Sequence, residues 1–111
     1  MRVISIDFSP AFKRELKRLS KRYRSLESDL EQFIKSLIEN PTQGVDLGSG
    51  LRKVRLAISS KNKGKSGGAR VITYTLLLEQ EGKLVLLTIY DKSERETISR
   101  QALDDALAQL G

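Results

Sequence analysis

The apolar residues at the start of the chain alternate with polar ones, and further along they recur at intervals of three and four. Segment 3–8 has an apolar side chain at every second position, which predicts a β-strand. Ser9 and Pro10 suit the cap and first turn of a helix that follows. The apolar positions of that helix are Phe12, Leu16, Leu19 and Tyr23. A second helix is predicted between a cap at Ser25 and a stop at Asn40-Pro41, with apolar positions at Leu30, Phe33, Ile34, Leu37 and Ile38.

The second half of the chain predicts three strands and a last helix. Residues 42–50 are rich in glycine, aspartate and serine, which predicts a loop. The strands are expected at 51–58, 70–78 and 84–91, where apolar, β-branched and aromatic residues alternate or cluster. The connections are a long, basic, glycine-rich loop at 59–68 and a tight turn at 79–82. The last helix begins at Thr97 or Ser99, and its apolar side is Ala102, Leu103, Ala106, Leu107 and Leu110.

This order of elements, βααβββα, predicts an α+β fold in which an antiparallel sheet carries a two-helix hairpin on one face. A chain of 111 residues has room for one core, so a single domain over residues 1–111 is expected. No apolar run approaches the roughly 20 residues of a membrane-spanning helix. Asp7 and Pro10 also interrupt the N-terminal segment too early for a signal peptide. We therefore expect a cytoplasmic protein.

Cysteine and histidine are both absent from the sequence. Their absence excludes disulfides, thiolate nucleophiles and cysteine-bound metal, and it removes the usual acid–base group of neutral pH. Any catalysis must use Lys, Arg, Tyr, Asp or Glu, or groups that a partner supplies. Neither a metal site nor a cofactor is expected.

The charges are distributed unevenly along the chain. The net charge is +6, and no acidic residue lies between Asp46 and Glu79. The basic residues of this interval are Arg52, Lys53, Arg55, Lys61, Lys63, Lys65 and Arg70. Such a run of cations without an anion is the electrostatic footprint of a phosphate-binding surface. We therefore expect the functional face to lie within residues 47–78.

Four residues are candidates for chemistry, each with a plainer alternative. Lys53 and Arg55 project from one face of a strand, roughly 7 Å apart, either as a phosphate clamp or as an ordinary solvated face. Arg70 could bind a phosphate through two hydrogen bonds or pair with an acid such as Asp91. Tyr90 could stack on a base or donate a proton, or it could be an edge-of-core residue. On alternation it shares a face with Thr88 and Lys92, opposite Val85, Leu87 and Ile89.

The basic loop contains Gly64-Lys65-Ser66, a sequence that also ends a phosphate-binding P-loop. The upstream glycine of that motif would fall at position 59, which is Ser59, and a strand follows instead of a helix. The segment is therefore not a P-loop. Its lysines either approach phosphate or belong to a soluble turn.

Several segments together resemble the RelE/ParE toxin superfamily, and within it the HigB-like branch. They are 12–19 (FKRELKRL), Asn40-Pro41 with Gly44, 51–55 (LRKVR), 64–72 (GKSGGARVI) and 89–94 (IYDKSE). They occur in the family's order and span nearly the whole chain. The resemblance implies the toxin of a type II toxin–antitoxin pair. It further implies a ribosome-dependent mRNA endonuclease in which a ribose 2′-OH attacks the adjacent phosphate without a metal.

The resemblance also implies roles for individual residues. Lys53 and Arg55 would activate the 2′-OH and bind phosphate, and Arg70 would stabilise the transition state. Residues that would bind messenger or ribosomal phosphate are Lys63, Lys65, Lys92 and Arg95, whereas Arg52 and Lys61 would contribute only general charge. Well-studied relatives have a C-terminal tyrosine where this chain has Thr97, Ile98 and Ser99. Tyr90 would then be the substitute general acid.

The implied partners are a cognate antitoxin with a helix-turn-helix domain, the ribosome and mRNA. Operator DNA would be contacted only through the antitoxin complex, and no membrane is involved. Two alternatives stay open. One is a ParE-like inhibitor of DNA gyrase with no chemistry of its own, which the cluster of Lys53, Arg55, Lys65 and Arg70 disfavours. The other is a degenerate toxin that acts only as a binding module.

Overall fold

The computed structural model describes residues 2–61, 67–78 and 81–110 and contains one five-stranded sheet. The strands are β1 (Arg2–Phe8), β2 (Val45–Gly48), β3 (Leu51–Leu56), β4 (Ala69–Leu78) and β5 (Glu81–Asp91). Their order across the sheet is β1-β5-β4-β3-β2. The strand β1 pairs with β5 in parallel, and all other pairs are antiparallel. The sheet is therefore mixed, with β5 and β4 at its centre.

Three helices accompany the sheet: α1 (Pro10–Arg22), α2 (Leu26–Glu39) and α3 (Arg100–Ala108). The Ser9 hydroxyl accepts a hydrogen bond from the Phe12 amide at 3.0 Å and caps α1. The same hydroxyl donates to the Leu87 carbonyl, so the cap also fastens α1 to β5. Ser99 caps α3 through the Ala102 amide at 3.1 Å. Ser25 begins α2 without a side-chain cap and bonds instead to Asp29 at 2.8 Å.

The predicted α+β class and the helix pair on one face are confirmed. The structure differs from the expected all-antiparallel, four-stranded sheet at its two edges. Strand β1 runs parallel to β5 because its chain leaves the sheet into α1 instead of turning back. Segment 42–50, expected to be a loop, contains β2 and a hairpin turn at Gly48, Ser49 and Gly50, which have φ of 86°, 55° and 83°. The strand escaped prediction because it is short and contains Asp46 and Gly48, residue types that are depleted in strands.

Both faces of the sheet are buried. On one face α1 and α2 cover a large apolar cluster whose members include Phe12, Leu19, Leu26, Leu37, Val54, Leu56, Val71 and Leu86. On the other face α3 covers a smaller cluster formed by Leu51, Ile72, Leu87, Tyr90, Leu103 and Ala106. Within α2 the predicted apolar stripe is wrong at its C-terminal end, because Ile38 is 56% exposed while Leu26 is fully buried.

A β-bulge interrupts the pairing of β5 with β4. Ile72 pairs with Thr88 and Thr73 with Leu86, so Leu87 is an extra residue in β5. The bulge changes the phase of the alternation, and Leu87 joins Tyr90 under α3. The prediction that Val85 and Leu87 lie opposite Tyr90 was therefore wrong, since Val85 pairs with Tyr74, which packs against the same cluster under α3. Ile89 does lie on the opposite face, in the cluster under α1 and α2.

We expect Ser9→Ala to lower the free energy of unfolding by about 1–2 kcal/mol, because it removes both the cap of α1 and a buried bond to β5. Urea titration monitored by circular dichroism measures this change. Ser20→Ala in the same helix is the matched control, because among the described residues the buried Ser20 hydroxyl has no hydrogen-bond partner. Equal stability losses in the two variants would show that the Ser9 bonds contribute nothing particular.

Candidate functional site

Three of the predicted site residues form one row across the sheet. Arg55 in β3 is the cross-strand partner of Arg70 in β4, and Arg70 is the partner of Tyr90 in β5. Neighbouring strands lie about 4.8 Å apart, so the row spans two strand spacings. These residues lie on the face that carries α3, since Tyr90 belongs to the cluster beneath that helix. The structure thus brings together side chains from positions 55, 70 and 90.

Lys53 stands one step along β3 from Arg55, on the same face. Its cross-strand partners are Val45 in β2 and Ile72 in β4, and its side chain is half-buried, whereas that of Arg55 is exposed. Arg52 faces the other way and is held by the Thr42 carbonyl at 2.9 Å and by Asp46 at 3.8 Å. Arg52 therefore stabilises the β2–β3 edge and stands apart from the row.

Arg70 is an almost fully buried arginine, only 7% exposed. One guanidinium nitrogen donates to the Ala69 carbonyl at 3.2 Å. The ion pair with Asp91 that the sequence left open is not the arrangement observed. The Asp91 carboxylate lies on the side of α1 and accepts hydrogen bonds from Tyr23 and Lys61. The guanidinium group of Arg70 therefore lies on the face of the candidate site. Burial limits the orientations that this side chain can adopt.

Tyr90 lies beside Arg70 and is 4% exposed. Burial raises the pKa of its phenol, while the positive charges of Arg70 and Arg95 act in the opposite direction. Among the described residues, its buried hydroxyl has no hydrogen-bond partner. Tyr90 is thus a neutral phenol at physiological pH that pairs across the sheet with Arg70 and packs in the cluster under α3.

The turn after β5 carries two further predicted residues. The Lys92 amide donates to the Gly68 carbonyl at 3.1 Å, and its ammonium group donates to the Glu96 carbonyl at 3.3 Å. Arg95 is exposed. The structure therefore places Lys92 and Arg95 next to the end of the strand that carries Tyr90. Lys63 and Lys65, the other predicted phosphate-binding residues, lie outside the described residues.

Lys61 has a role that the sequence analysis missed. It was assigned general charge, but its ammonium group is 2.8 Å from the Asp91 carboxylate, and the two side chains are 8% and 0% exposed. A carboxylate at the end of a buried strand needs a donor or a cation, and that requirement was the available signal. The remaining uncertainty was which cation would reach it, because Lys61 and Asp91 are 30 positions apart.

Within residues 2–61, 67–78 and 81–110, no group of three or more acidic side chains is arranged to hold a metal ion. Among the helices of the same described ranges, none has the length and apolar character needed to cross a membrane.

A comparison with known families assigns the chain to one of them. The model of the RelE toxin of the RelE / RelB toxin–antitoxin system matches residues 11–109. The chain belongs to the RelE toxin family. The match contains every predicted site residue, from Lys53 to Arg95. A RelE-family toxin belongs to a toxin–antitoxin pair, so its partner is an antitoxin.

In this RelE-family toxin we expect Tyr90→Phe to leave the free energy of unfolding at pH 7 unchanged or to raise it by up to about 1 kcal/mol, because the hydroxyl is buried without a partner in the described structure. The pH dependence should differ. A phenol with a raised pKa contributes stability fully below the free tyrosine pKa of about 10 and loses it as pH rises through the folded pKa.

Urea unfolding of both proteins between pH 7 and pH 11 tests this expectation. Above pH 10 the wild type should lose stability more steeply than Tyr90→Phe. Parallel curves for the two proteins would mean that Tyr90 titrates as a free tyrosine does.

Proposed function

We propose that this RelE-family toxin is a ribosome-dependent mRNA endonuclease that inhibits translation. The ribose 2′-OH of the message attacks the adjacent phosphorus, the bond to the 5′-oxygen breaks, and a cyclic phosphate and a free 5′-hydroxyl remain. The observation that carries the proposal is the row formed by Arg55, Arg70 and Tyr90 on one sheet face. Two cations and a neutral phenol side by side suit a reaction in which charge develops on a phosphate.

Arg70 is the proposed stabiliser of the transition state. Two of the donors on its planar guanidinium group can bind two phosphate oxygens at once. Its burial favours this role, because a fixed cation in a region with little water acts on developing charge more strongly than an exposed one. The bond to the Ala69 carbonyl helps to set its orientation before the substrate arrives.

Lys53 and Arg55 are proposed to activate the 2′-OH and to bind the flanking phosphates. They share a strand face, and Arg55 is directly opposite Arg70, so a phosphate held by one arginine lies within reach of the other. The proposed general acid is Tyr90, whose phenol would pass its proton to the departing 5′-oxygen. Because burial keeps that phenol neutral, its proton is available at physiological pH.

Helix α3 covers Tyr90, and this restricts how Tyr90 could act as the general acid. Leu103 and Ala106 of α3 pack in the same cluster as Tyr90. A substrate oxygen can reach the phenol only after α3 shifts away from this end of the sheet. Without that shift, Tyr90 supports Arg70 by packing alone, and water or the ribosome supplies the proton.

The remaining cations are proposed to bind the RNA and the ribosome. They are Lys63, Lys65, Lys92 and Arg95, and their contribution is electrostatic and sensitive to salt. The antitoxin would neutralise the toxin by covering the basic face, and its helix-turn-helix domain would connect the complex to operator DNA. The proposed location is the cytoplasm, where ribosomes and messages are found, and the proposed toxin domain covers residues 1–111.

Arg70→Ala and Arg70→Lys should each lower the rate of message cleavage by a factor of about 100–1000, because neither side chain can bind two phosphate oxygens. Toeprinting of a translated message with purified protein and ribosomes measures the rate. Arg52→Gln is the matched control: it removes an arginine three positions from Arg55 that faces the other way, and it should cleave at the wild-type rate. Circular dichroism verifies that each variant is folded.

Induction in growing cells separates the alternatives. Translational arrest with messages cut within codons supports the nuclease. DNA damage with intact messages would instead identify a ParE-like gyrase inhibitor. A folded wild-type protein that does neither, yet still binds its antitoxin, would be a degenerate toxin.

A further inference from the structure

The proposed reaction does not use the most buried charged group near the site. Asp91 is the last residue of β5, and its side chain is fully buried. It accepts hydrogen bonds from Lys61 Nζ at 2.8 Å, from the Ser93 amide at 2.9 Å, from Ser93 Oγ at 2.8 Å and from the Tyr23 hydroxyl. These donors hold the pKa of Asp91 well below its usual range despite its burial. Asp91 is therefore a fixed negative charge behind the site.

The main chain of Asp91 closes the turn that follows. Its carbonyl accepts hydrogen bonds from the amides of Glu94 at 3.0 Å and Arg95 at 3.1 Å. The carboxylate meanwhile binds the Ser93 amide and hydroxyl. One residue thus holds the turn through its side chain and its backbone together. Lys92 and Arg95 both belong to this turn.

The neighbouring segments are tied to the same point. Lys61 also donates to Ser93 Oγ at 3.3 Å, and its ammonium group lies 5.3 Å from the centre of the Tyr23 ring. The Lys92 amide binds the Gly68 carbonyl, two residues before Arg70. Gly68 must be a glycine, because a Cβ there would lie 2.2 Å from the Leu56 carbonyl oxygen. The ends of β3, β4 and β5 therefore meet around Asp91.

A second ion pair on β5 is exposed to solvent and serves as a comparison for the buried pair of Lys61 and Asp91. Asp7 and Lys83 are 2.7 Å apart, but their side chains are 51% and 40% exposed, and no predicted site residue lies in that pair of strands near them. Exposed ion pairs of this kind contribute little to the free energy of unfolding. A buried pair loses far more when one partner is removed, because the other charge is left without compensation. Burial of the Asp91 carboxylate thus costs free energy that its partners must offset, and the carboxylate lies next to the candidate site.

We propose that Asp91 is a positioning residue for the nuclease site: its carboxylate holds the 92–95 turn so that Lys92 and Arg95 stand beside Tyr90 and meet the RNA. Asp91 itself touches no substrate, because its side chain faces α1 while Tyr90 faces α3. The functional part of this inference rests on the proposed nuclease activity. Its structural part, the hold on the turn, does not.

The test compares Asp91→Asn with the control Asp7→Asn, each alone and combined with the double substitution Lys92→Ala/Arg95→Ala. Ribosome-dependent cleavage of a translated message and binding of a short single-stranded RNA oligonucleotide are measured. We expect Asp91→Asn to slow cleavage by a factor of about 10–100, as a displaced binding group does. In the Lys92→Ala/Arg95→Ala background the further loss should be less than about twofold, because residues that act through one another are not additive. Asp7→Asn should have no effect in either background.

Amide hydrogen exchange gives a readout that needs neither RNA nor cleavage. Asp91→Asn should increase exchange at Ser93, Glu94 and Arg95 by about tenfold or more, since local opening sets the exchange rate. The interior of β5 should keep its protection. If Asp91→Asn does not fold, Ser93→Ala carries the same comparison with the Lys61–Asp91 pair intact, and smaller changes of the same pattern are expected.

Three outcomes would overturn the inference: full additive loss of cleavage in the Lys92→Ala/Arg95→Ala background, a folded Asp91→Asn that cleaves and binds like the wild type, or unchanged exchange in the turn. Failure of the proposed nuclease looks different. In that case the wild-type protein would leave messages intact on active ribosomes, and the exchange experiment would still decide whether Asp91 holds the turn.

Discussion

Burial of both faces of the β4–β5 pair is the constraint on which the rest of the structure depends. The helices α1 and α2 seal one face and α3 seals most of the other, so a charged side chain on this sheet lies either at the end that α3 does not reach or, like Asp91, against a compensating cation. The arginines of the candidate site occupy that remaining end of the sheet. Arg70 is itself almost fully buried, so packing holds this cation in place, unlike a cation on the solvent-exposed surface.

Alternation along β5 keeps the Asp91 carboxylate away from the arginines of the candidate site. Tyr90 faces that site and Asp91 faces the helices, so the acid that follows Tyr90 in sequence lies behind the sheet. Lys61 neutralises it there. Within the acid-free interval from Leu47 to Leu78, Lys61 therefore balances an internal carboxylate, while Arg55 and Arg70 lie on the opposite face of the sheet, that of the candidate site.

Periodicity was sufficient for the parts of the fold that repeat. The apolar spacing of α1 and α2 and the shared face of Lys53 and Arg55 follow from local patterns that long-range packing does not alter. The short β2, the extra residue at Leu87 and the pairing of Lys61 with Asp91 could not be derived this way. The short β2 contains Asp46 and Gly48, residue types that are depleted in strands, and only its pairing with β3 defines it. The other two features depend on partners further along the chain, and local alternation contains no information about which partner that is. The roles of the site residues came from family resemblance, and the structure adds their neighbours.

The bulge at Leu87 has a consequence for how this strand tolerates changes in length. Before the bulge the even-numbered residues Leu84 and Leu86 face the large core under α1 and α2; after it the odd-numbered Ile89 does, and Tyr90 faces the candidate site. Deleting Leu87 would remove only the extra residue and leave Thr88 opposite Ile72 and Tyr90 opposite Arg70. Inserting one residue between Thr88 and Tyr90 would instead turn Tyr90 toward the helices and Asp91 toward the face of the arginines. The strand thus tolerates the loss of one residue at the bulge but not the gain of one after it.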